Sequence, residues 1–135
     1  MYESLQQMQE ICETENKAFW ELVMEEEANE PHTSHEEVFE TMRSMYRAMV
    51  QADENYEDRR SASQMTGGAG ELMAKWNRDE KTLSGSFLGQ VMERALKMAE
   101  SNACMKRIVA APTAGSCGVL PAVMITYQKL EKGPE

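Results

Sequence analysis

Residues 108–122 read Ile-Val-Ala-Ala-Pro-Thr-Ala-Gly-Ser-Cys-Gly-Val-Leu-Pro-Ala and predict an extended segment, a tight turn and a helix in succession. The apolar run stops at Pro112, and small residues follow around Cys117. Pro121 fits a helix only in the first turn, where no N–H donor is needed. The N–H groups at a helix start have no partner within the helix and favour an anion. The stretch therefore predicts that Cys117 lies at a helix start and ionises to a thiolate, which binds a metal or attacks an electrophile.

Helical periodicity dominates the rest of the chain. Apolar side chains recur at three- and four-residue intervals in three regions, which is the pattern of amphipathic helices. The first stripe is Leu5, Met8, Ile11, Cys12, Ala18, Phe19, Leu22 and Val23; the second is Val38, Phe39, Met42, Met45, Tyr46, Met49 and Val50; the third is Phe87, Leu88, Val91, Met92, Ala95, Leu96 and Ala99. We expect each stripe to belong to one helix and to be buried.

Capping residues and helix breakers give the boundaries. Pro31 closes the first helix, because proline disfavours helical backbone at the residue before it. Ser34 and Glu37 have the spacing of a capping box, which opens the second helix. The loop between these two helices is short and favours an antiparallel pair. Ser84 or Ser86 caps the third long helix, which ends near residue 102.

The remaining segments complete a mostly α fold. Residues 71–76 form a short helical piece, residues 77–81 a turn and residues 119–130 the last helix. Residues 108–111 fit a short strand or an extended connection equally well. We expect one helical domain over residues 1–135, with about five helices, a glycine-rich loop and a short extended segment before the last helix.

Composition limits the classes of function. No apolar run approaches the ~20 residues of a membrane span, and the N-terminus lacks a secretion signal, so we expect a cytoplasmic protein. The net charge is −9, with 16 acids and 3 bases in residues 1–58 but 7 acids and 11 bases in residues 59–135. The acidic half disfavours nucleic acid and anionic membranes as partners. The basic half suits a carboxylate ligand, although a solvated acidic helix face explains the same asymmetry.

A second small-residue stretch, Arg60-Ser-Ala-Ser-Gln-Met-Thr-Gly-Gly68, precedes the short helix. We refer to residues 61–68 as the glycine loop and to residues 111–118 as the cysteine loop. The glycine loop is not a phosphate-binding P-loop, because no Gly-Lys-Ser/Thr follows. From composition alone it is an ordinary helix connection, and Cys117 alone is a small residue that packs a turn.

The two stretches together, Ala111-Pro-Thr-Ala-Gly-Ser-Cys-Gly-Val-Leu-Pro-Ala122 and residues 60–68, resemble the alpha chain of the iron–sulfur-dependent L-serine dehydratases. These enzymes eliminate water from L-serine to give pyruvate and ammonia. The resemblance covers the N-terminal part of the family's alpha chain. It implies that this chain is a fragment of the catalytic domain, inactive alone, which a beta chain or beta domain completes.

The resemblance also implies site residues. Cys117 matches a ligand of a [4Fe-4S] cluster, which is present in the complete enzyme and absent from this fragment, and whose open iron acts as a Lewis acid. Cys12 and Cys104 match no ligand and are expected to pack in the core. The residues expected to bind L-serine are Ser61, Ser63, Thr66, Gly67, Gly68, Thr113, Gly115 and Ser116. The general base is not assigned.

Further interpretations concern the histidines, the arginines, Cys117 and the function of the chain as a whole. His32 and His35 flank acidic residues, but no third ligand follows at metal-binding spacing, so a solvated helix start is expected. Arg59 and Arg60 are expected to pair with carboxylates, either that of the substrate or, in preference, those of the acidic half. A thiol enzyme would need a histidine base beside Cys117. A non-enzymatic helical interaction module remains as the alternative function.

Overall fold

The computed structural model describes residues 2–29, 34–79 and 83–131. Within these ranges the chain forms α-helices and one 3₁₀ turn and contains no β-strand, which confirms the mostly α class. The helices number six instead of about five: α1 (Leu5–Glu15), α2 (Phe19–Ala28), α3 (His35–Glu54), α4 (Ala69–Arg78), α5 (Gly85–Ala103) and α6 (Val119–Glu131). The 3₁₀ turn, Ala114–Ser116, lies in the cysteine loop.

The expected single first helix is wrong, because the chain breaks between α1 and α2. Asn16 adopts a left-handed backbone conformation with φ of 51°, which asparagine tolerates better than most residues. The Lys17 N–H then donates to the Cys12 carbonyl at 3.0 Å and closes α1. The Glu21 carboxylate accepts the Ala18 N–H at 2.8 Å and opens α2. Local hydrogen bonds therefore override a continuous apolar periodicity.

The capping box at the start of α3 is confirmed. The Glu37 N–H donates to Ser34 Oγ at 3.3 Å, and the Ser34 N–H donates to Glu37 Oε2 at 2.8 Å. These bonds lower the pKa of Glu37, since they favour its charged form. The expected turn at Pro31 lies outside the described residues.

The chain divides into two compact units, Met1–Ser44 and Met45–Glu135. In the first unit α1 packs against α2. In the second unit α5 packs against both α4 and α6. The central cluster of the second unit consists of Ala52, Met98 and Cys117, with Ile108 packed against it. Both loops singled out by the sequence belong to this second unit.

Several side chains expected in the core are exposed instead. They are Leu5, Phe19, Val23, Phe39, Met42, Met45, Phe87, Leu88 and Met92. Periodicity identifies the apolar face of a helix but not whether another element covers that face. Within the second unit, a Cβ at Gly118 would lie 2.8 Å from the Ala95 carbonyl oxygen, so α5 closely approaches the chain just before α6.

The last part of the second unit follows the predicted boundaries. Ser84 precedes α5 but makes no capping hydrogen bond through its side chain. Residues 106–110 have no regular secondary structure, and the Ala111–Pro112 peptide bond is cis. The first turn of α6 contains Pro121, as expected. None of the helices within the described ranges has the length and apolar character that crossing a membrane requires.

Candidate functional site

The cysteine loop is closed by its own side chains. The Ser116 N–H donates to Thr113 Oγ1 at 3.3 Å, and the Thr113 N–H donates to Ser116 Oγ at 3.2 Å. The Ser116 hydroxyl also lies 3.1 Å from the Ala111 carbonyl oxygen, which accepts its proton. Thr113 therefore caps the 3₁₀ turn in the way that an N-cap residue caps an α-helix. Both hydroxyls expected to meet L-serine are engaged within the loop.

Cys117 follows the 3₁₀ turn and is separated from the start of α6 by Gly118. Its side chain is 1% exposed and lies in the cluster with Ala52, Met98 and Ile108. Burial raises the pKa of the thiol, because a thiolate loses hydration there, and this exceeds the opposing effect of a backbone hydrogen bond. Burial therefore opposes the thiolate expected from the helix start. A protonated, buried thiol also disfavours a nucleophilic role.

The glycine loop is closed mainly by its backbone. The Ser61 N–H donates to the Thr66 carbonyl at 2.8 Å, and the Thr66 N–H donates to Ser61 Oγ at 3.3 Å. Gly67 has φ of 139° and Gly68 has φ of 89°, so the loop turns through conformations that other residues rarely adopt. A Cβ at Gly67 would also lie 2.9 Å from the Arg59 carbonyl oxygen. Ser61 is buried, whereas Ser63 and Thr66 are exposed.

The cysteine loop and the helix start that directly follows the glycine loop both contact the last turn of α5, which the sequence did not single out. The Asn102 side-chain amide donates to the Ala114 carbonyl of the cysteine loop at 3.2 Å. The Glu100 carboxylate accepts the Ala69 N–H directly after the glycine loop at 2.7 Å. A signal was present, because an acid in the last turn of a helix is electrostatically unfavourable and calls for a partner elsewhere. The structure thus brings the two loops to one turn of one helix.

The other candidate residues lie apart from the two loops or serve as neighbours. His35 is exposed at the start of α3, and His32 lies outside the described residues. Arg59 approaches Glu57 at 4.0 Å, and Arg60 donates to the Gln64 carbonyl at 3.3 Å. Cys12 and Cys104 are half-buried free thiols.

A protein metal site requires several His, Cys, Asp or Glu side chains close together. Within residues 2–29, 34–79 and 83–131, no three His, Cys, Asp or Glu side chains come together in a way that would hold a metal ion. Cys117 is a single buried thiol among apolar neighbours. The described residues therefore do not fit a whole iron–sulfur cluster.

The family model and the relatives that match most of this chain are all described as serine dehydratase alpha chains. A family model described as "Serine dehydratase alpha chain" matches residues 14–133. The chain is similar to the L-serine dehydratase alpha chain of Peptoniphilus asaccharolyticus, with 30% identity over 127 residues that cover 93% of this chain and 44% of the relative. It is also similar to the probable L-serine dehydratase alpha chain of Bacillus subtilis (strain 168), with 27% identity over 132 residues, covering 96% and 43%.

A shorter match concerns the L-serine dehydratase TdcG of Escherichia coli (strain K12), which is 47% identical over 38 residues, or 28% of this chain and 8% of that protein. No solved structure matches the chain. The chain spans less than half the length of the two alpha chains that it matches along most of its length.

Proposed function

This chain belongs to the serine dehydratase alpha chain family, and from that premise we propose that it forms part of an enzyme that eliminates water from L-serine to give pyruvate and ammonia. The observation that carries the proposal is the family match over residues 14–133, which includes both the glycine loop and the cysteine loop. The proposal concerns the complete protein, because the matched relatives are more than twice as long as the part that this chain covers.

The two loops are the proposed L-serine site. Its residues are Ser61, Ser63, Thr66, Gly67, Gly68, Thr113, Gly115 and Ser116. Support comes from a common anchor, since the cysteine loop and the residue directly after the glycine loop are bonded to the last turn of α5. The hydroxyls of Thr113 and Ser116 hold the cysteine loop in shape, so a carboxylate bound there would meet a preformed turn. Preformed donors cost no reorganisation when the ligand binds, which suits recognition of a small polar amino acid.

A [4Fe-4S] cluster is the proposed cofactor of the complete enzyme, with Cys117 as one ligand. The remaining ligands would have to come from outside the described residues, which bring no three metal-binding side chains together. Metal ligands of this type bind as thiolates, and burial raises the pKa of Cys117, so iron binding would have to overcome this desolvation. We assign no step of the reaction to the cluster on the basis of this chain.

A beta chain or beta domain is the proposed partner, and the cytoplasm is the proposed location. The name "alpha chain" borne by the matched relatives supports a second type of chain. The 135-residue chain alone is proposed to be inactive, and the interaction-module alternative predicts the same. The two readings separate only when the complete protein is assayed.

The experiment is an anaerobic assay of pyruvate formation from L-serine by the complete protein with its beta partner. We expect pyruvate and ammonia in equal amounts, and Cys117→Ser should abolish both turnover and cluster absorbance while the helical circular dichroism is kept. Cys104→Ser is the matched control, because this thiol is half-buried and is not a proposed ligand. Absence of pyruvate from the complete wild-type protein would refute the proposed activity. An active cluster in Cys117→Ser would remove Cys117 from the ligand set.

A further inference from the structure

The Glu100 carboxylate is a buried anchor rather than a surface charge. It is 3% exposed. Its Oε1 atom accepts the N–H groups of Ala69 at 2.7 Å and Gly70 at 3.1 Å, and its Oε2 atom accepts the Tyr56 hydroxyl at 2.7 Å. The first N–H groups of a helix lack partners within the helix, so Glu100 caps α4 from a different helix. Glu100 therefore sets where α4 begins, and with it the end of the glycine loop.

The position of α4 against α5 depends on a close approach at Gly70. A Cβ at Gly70 would lie 2.6 Å from Lys97 Cγ and 3.1 Å from Glu100 Oε2. Any larger side chain would push the helix start away from the carboxylate. The small size of Gly70 and the charge of Glu100 thus act at the same point. Both are needed to hold the start of α4 at its distance from α5.

The second anchor lies on the same turn of α5. The Asn102 Nδ2 atom donates to the Ala114 carbonyl at 3.2 Å, at the start of the 3₁₀ turn that precedes Cys117. Because Glu100 and Asn102 are two residues apart on one helix, a shift of one loop cannot occur freely without strain on the bond to the other. The last turn of α5 is therefore a rigid spacer between the two loops.

We propose that Glu100 and Asn102 are positioning residues that hold the glycine loop and the cysteine loop in a fixed relation to each other. The link to L-serine rests on the proposed function, whereas the mechanical link between the loops does not. Glu100 has both oxygens engaged and is buried, so it acts through the loops and not on the substrate.

The mechanical link is tested on the full chain by alkylation of Cys117 and by amide hydrogen exchange. We expect Asn102→Ala to speed alkylation of Cys117 by about tenfold, because the loop that covers the thiol loses its tie. We expect Glu100→Ala to speed exchange at the N–H groups of Ala69 and Gly70. Glu100→Gln keeps one acceptor oxygen and should give a smaller increase, so the test survives if the alanine variant does not fold.

Asn77 provides the matched control. The Asn77 Nδ2 atom donates to Glu93 Oε2 at 2.8 Å and to the Gly89 carbonyl at 3.0 Å, which joins α4 to α5 in the same chemical way but at neither loop. Asn77→Ala should leave alkylation of Cys117 and exchange at the start of α4 at the wild-type rates. The proposal is overturned if this control raises both rates as much as the anchor variants do, or if the anchor variants raise neither.

The kinetic constants of the complete enzyme distinguish a positioning role of Glu100 and Asn102 from a purely structural one. Glu100→Gln and Asn102→Ala should raise KM for L-serine by about tenfold while kcat falls less, since misplaced loops weaken binding of the substrate. Asn77→Ala should leave KM unchanged. Unchanged KM in both anchor variants would overturn the link to the substrate site. If the wild-type enzyme has no activity on L-serine, the proposed function fails while alkylation and exchange still decide the mechanical link.

Discussion

The glycine loop and the cysteine loop are held in shape by different interactions. The glycine loop is shaped by backbone: two glycines with positive φ, a backbone hydrogen bond across the loop and a carboxylate supplied by α5. The cysteine loop is shaped by side chains: two hydroxyls that cap each other's N–H groups and a thiol inserted into the core. This difference predicts which substitutions each loop tolerates. The glycine loop depends on backbone conformations that favour glycine, whereas the cysteine loop depends on side-chain hydrogen bonds.

The largest expected effect tests the backbone-shaped loop. Gly67→Ala places a Cβ 2.9 Å from the Arg59 carbonyl oxygen at a φ of 139°, so strain and steric clash add. We expect a loss of about 2–4 kcal/mol in the free energy of unfolding, measured by urea denaturation. Gly68→Ala is the control, because it has positive φ but nothing within 4 Å of its Cβ, and should cost about 1 kcal/mol. Equal costs for the two variants would show that steric approach does not matter in this loop.

The next effect compares two glycines of the cysteine loop. Gly118→Ala brings a Cβ within 2.8 Å of the Ala95 backbone oxygen, which cannot move aside as a flexible side chain would. We expect a loss of about 1–3 kcal/mol. At Gly115 the nearest atom to a Cβ is Thr113 Oγ1 at 3.8 Å, so Gly115→Ala should stay within about 0.5 kcal/mol of wild type. A large loss at Gly115 would mean that this loop, too, depends on glycine conformation.

A smaller effect tests the side-chain bonds directly. Ser116→Ala removes the acceptor of the Thr113 N–H and the donor to the Ala111 carbonyl, and should cost about 1 kcal/mol. Ser63→Ala in the glycine loop removes a 3.1 Å contact with Ser61 Oγ and a 3.5 Å contact with the Met65 N–H. Because Ser63 is exposed, we expect no more than about 0.5 kcal/mol there. Thermal denaturation of both variants checks the difference, and the reverse order would contradict the contrast between the loops.

Much of the fold was accessible from the sequence where signals are local. The capping box at Ser34 and Glu37, the end of α5 and the position of Pro121 in the first turn of α6 all depend on neighbouring residues. The break at Asn16 was missed because the apolar stripe continues across it, and a left-handed residue carries no periodic signal. The exposed Phe39 and Met42 were expected to be buried because periodicity identifies a face but not what covers it.

The candidate site was accessible only as two separate loops. Their common anchor on α5 depends on Glu100 and Asn102, which contact residues more than ten positions away and belong to no motif. The burial that opposes a Cys117 thiolate was not predicted, for a related reason. A helix start is visible in sequence, whereas the enclosure of the thiol by Ala52, Met98 and Ile108 arises only from packing.

The burial of the Cys117 thiol should make the stability of the fold depend on pH in the alkaline range. Because burial raises the pKa of Cys117 above the ordinary value of 9.0, the folded protein keeps the thiol proton at a pH where the unfolded chain releases it. This contribution to stability is fully present below about pH 9 and is lost as pH rises beyond that value. The contribution of this thiol to the free energy of unfolding should therefore stay constant below about pH 9 and fall above it, and the free energy of unfolding of Cys117→Ala should fall less with rising pH than that of wild type.

Other groups titrate in the same direction, so the difference between variants is the informative quantity. Burial and the hydrogen bond to Glu100 raise the pKa of Tyr56, which also weakens the fold at high pH in every variant. Cys104→Ala removes a half-buried thiol outside the core cluster and is the matched control for the loss of a thiol. If Cys117→Ala loses stability with pH as steeply as wild type does, the thiol is not desolvated. The cysteine loop would then be an open, ligand-ready turn like the exposed part of the glycine loop.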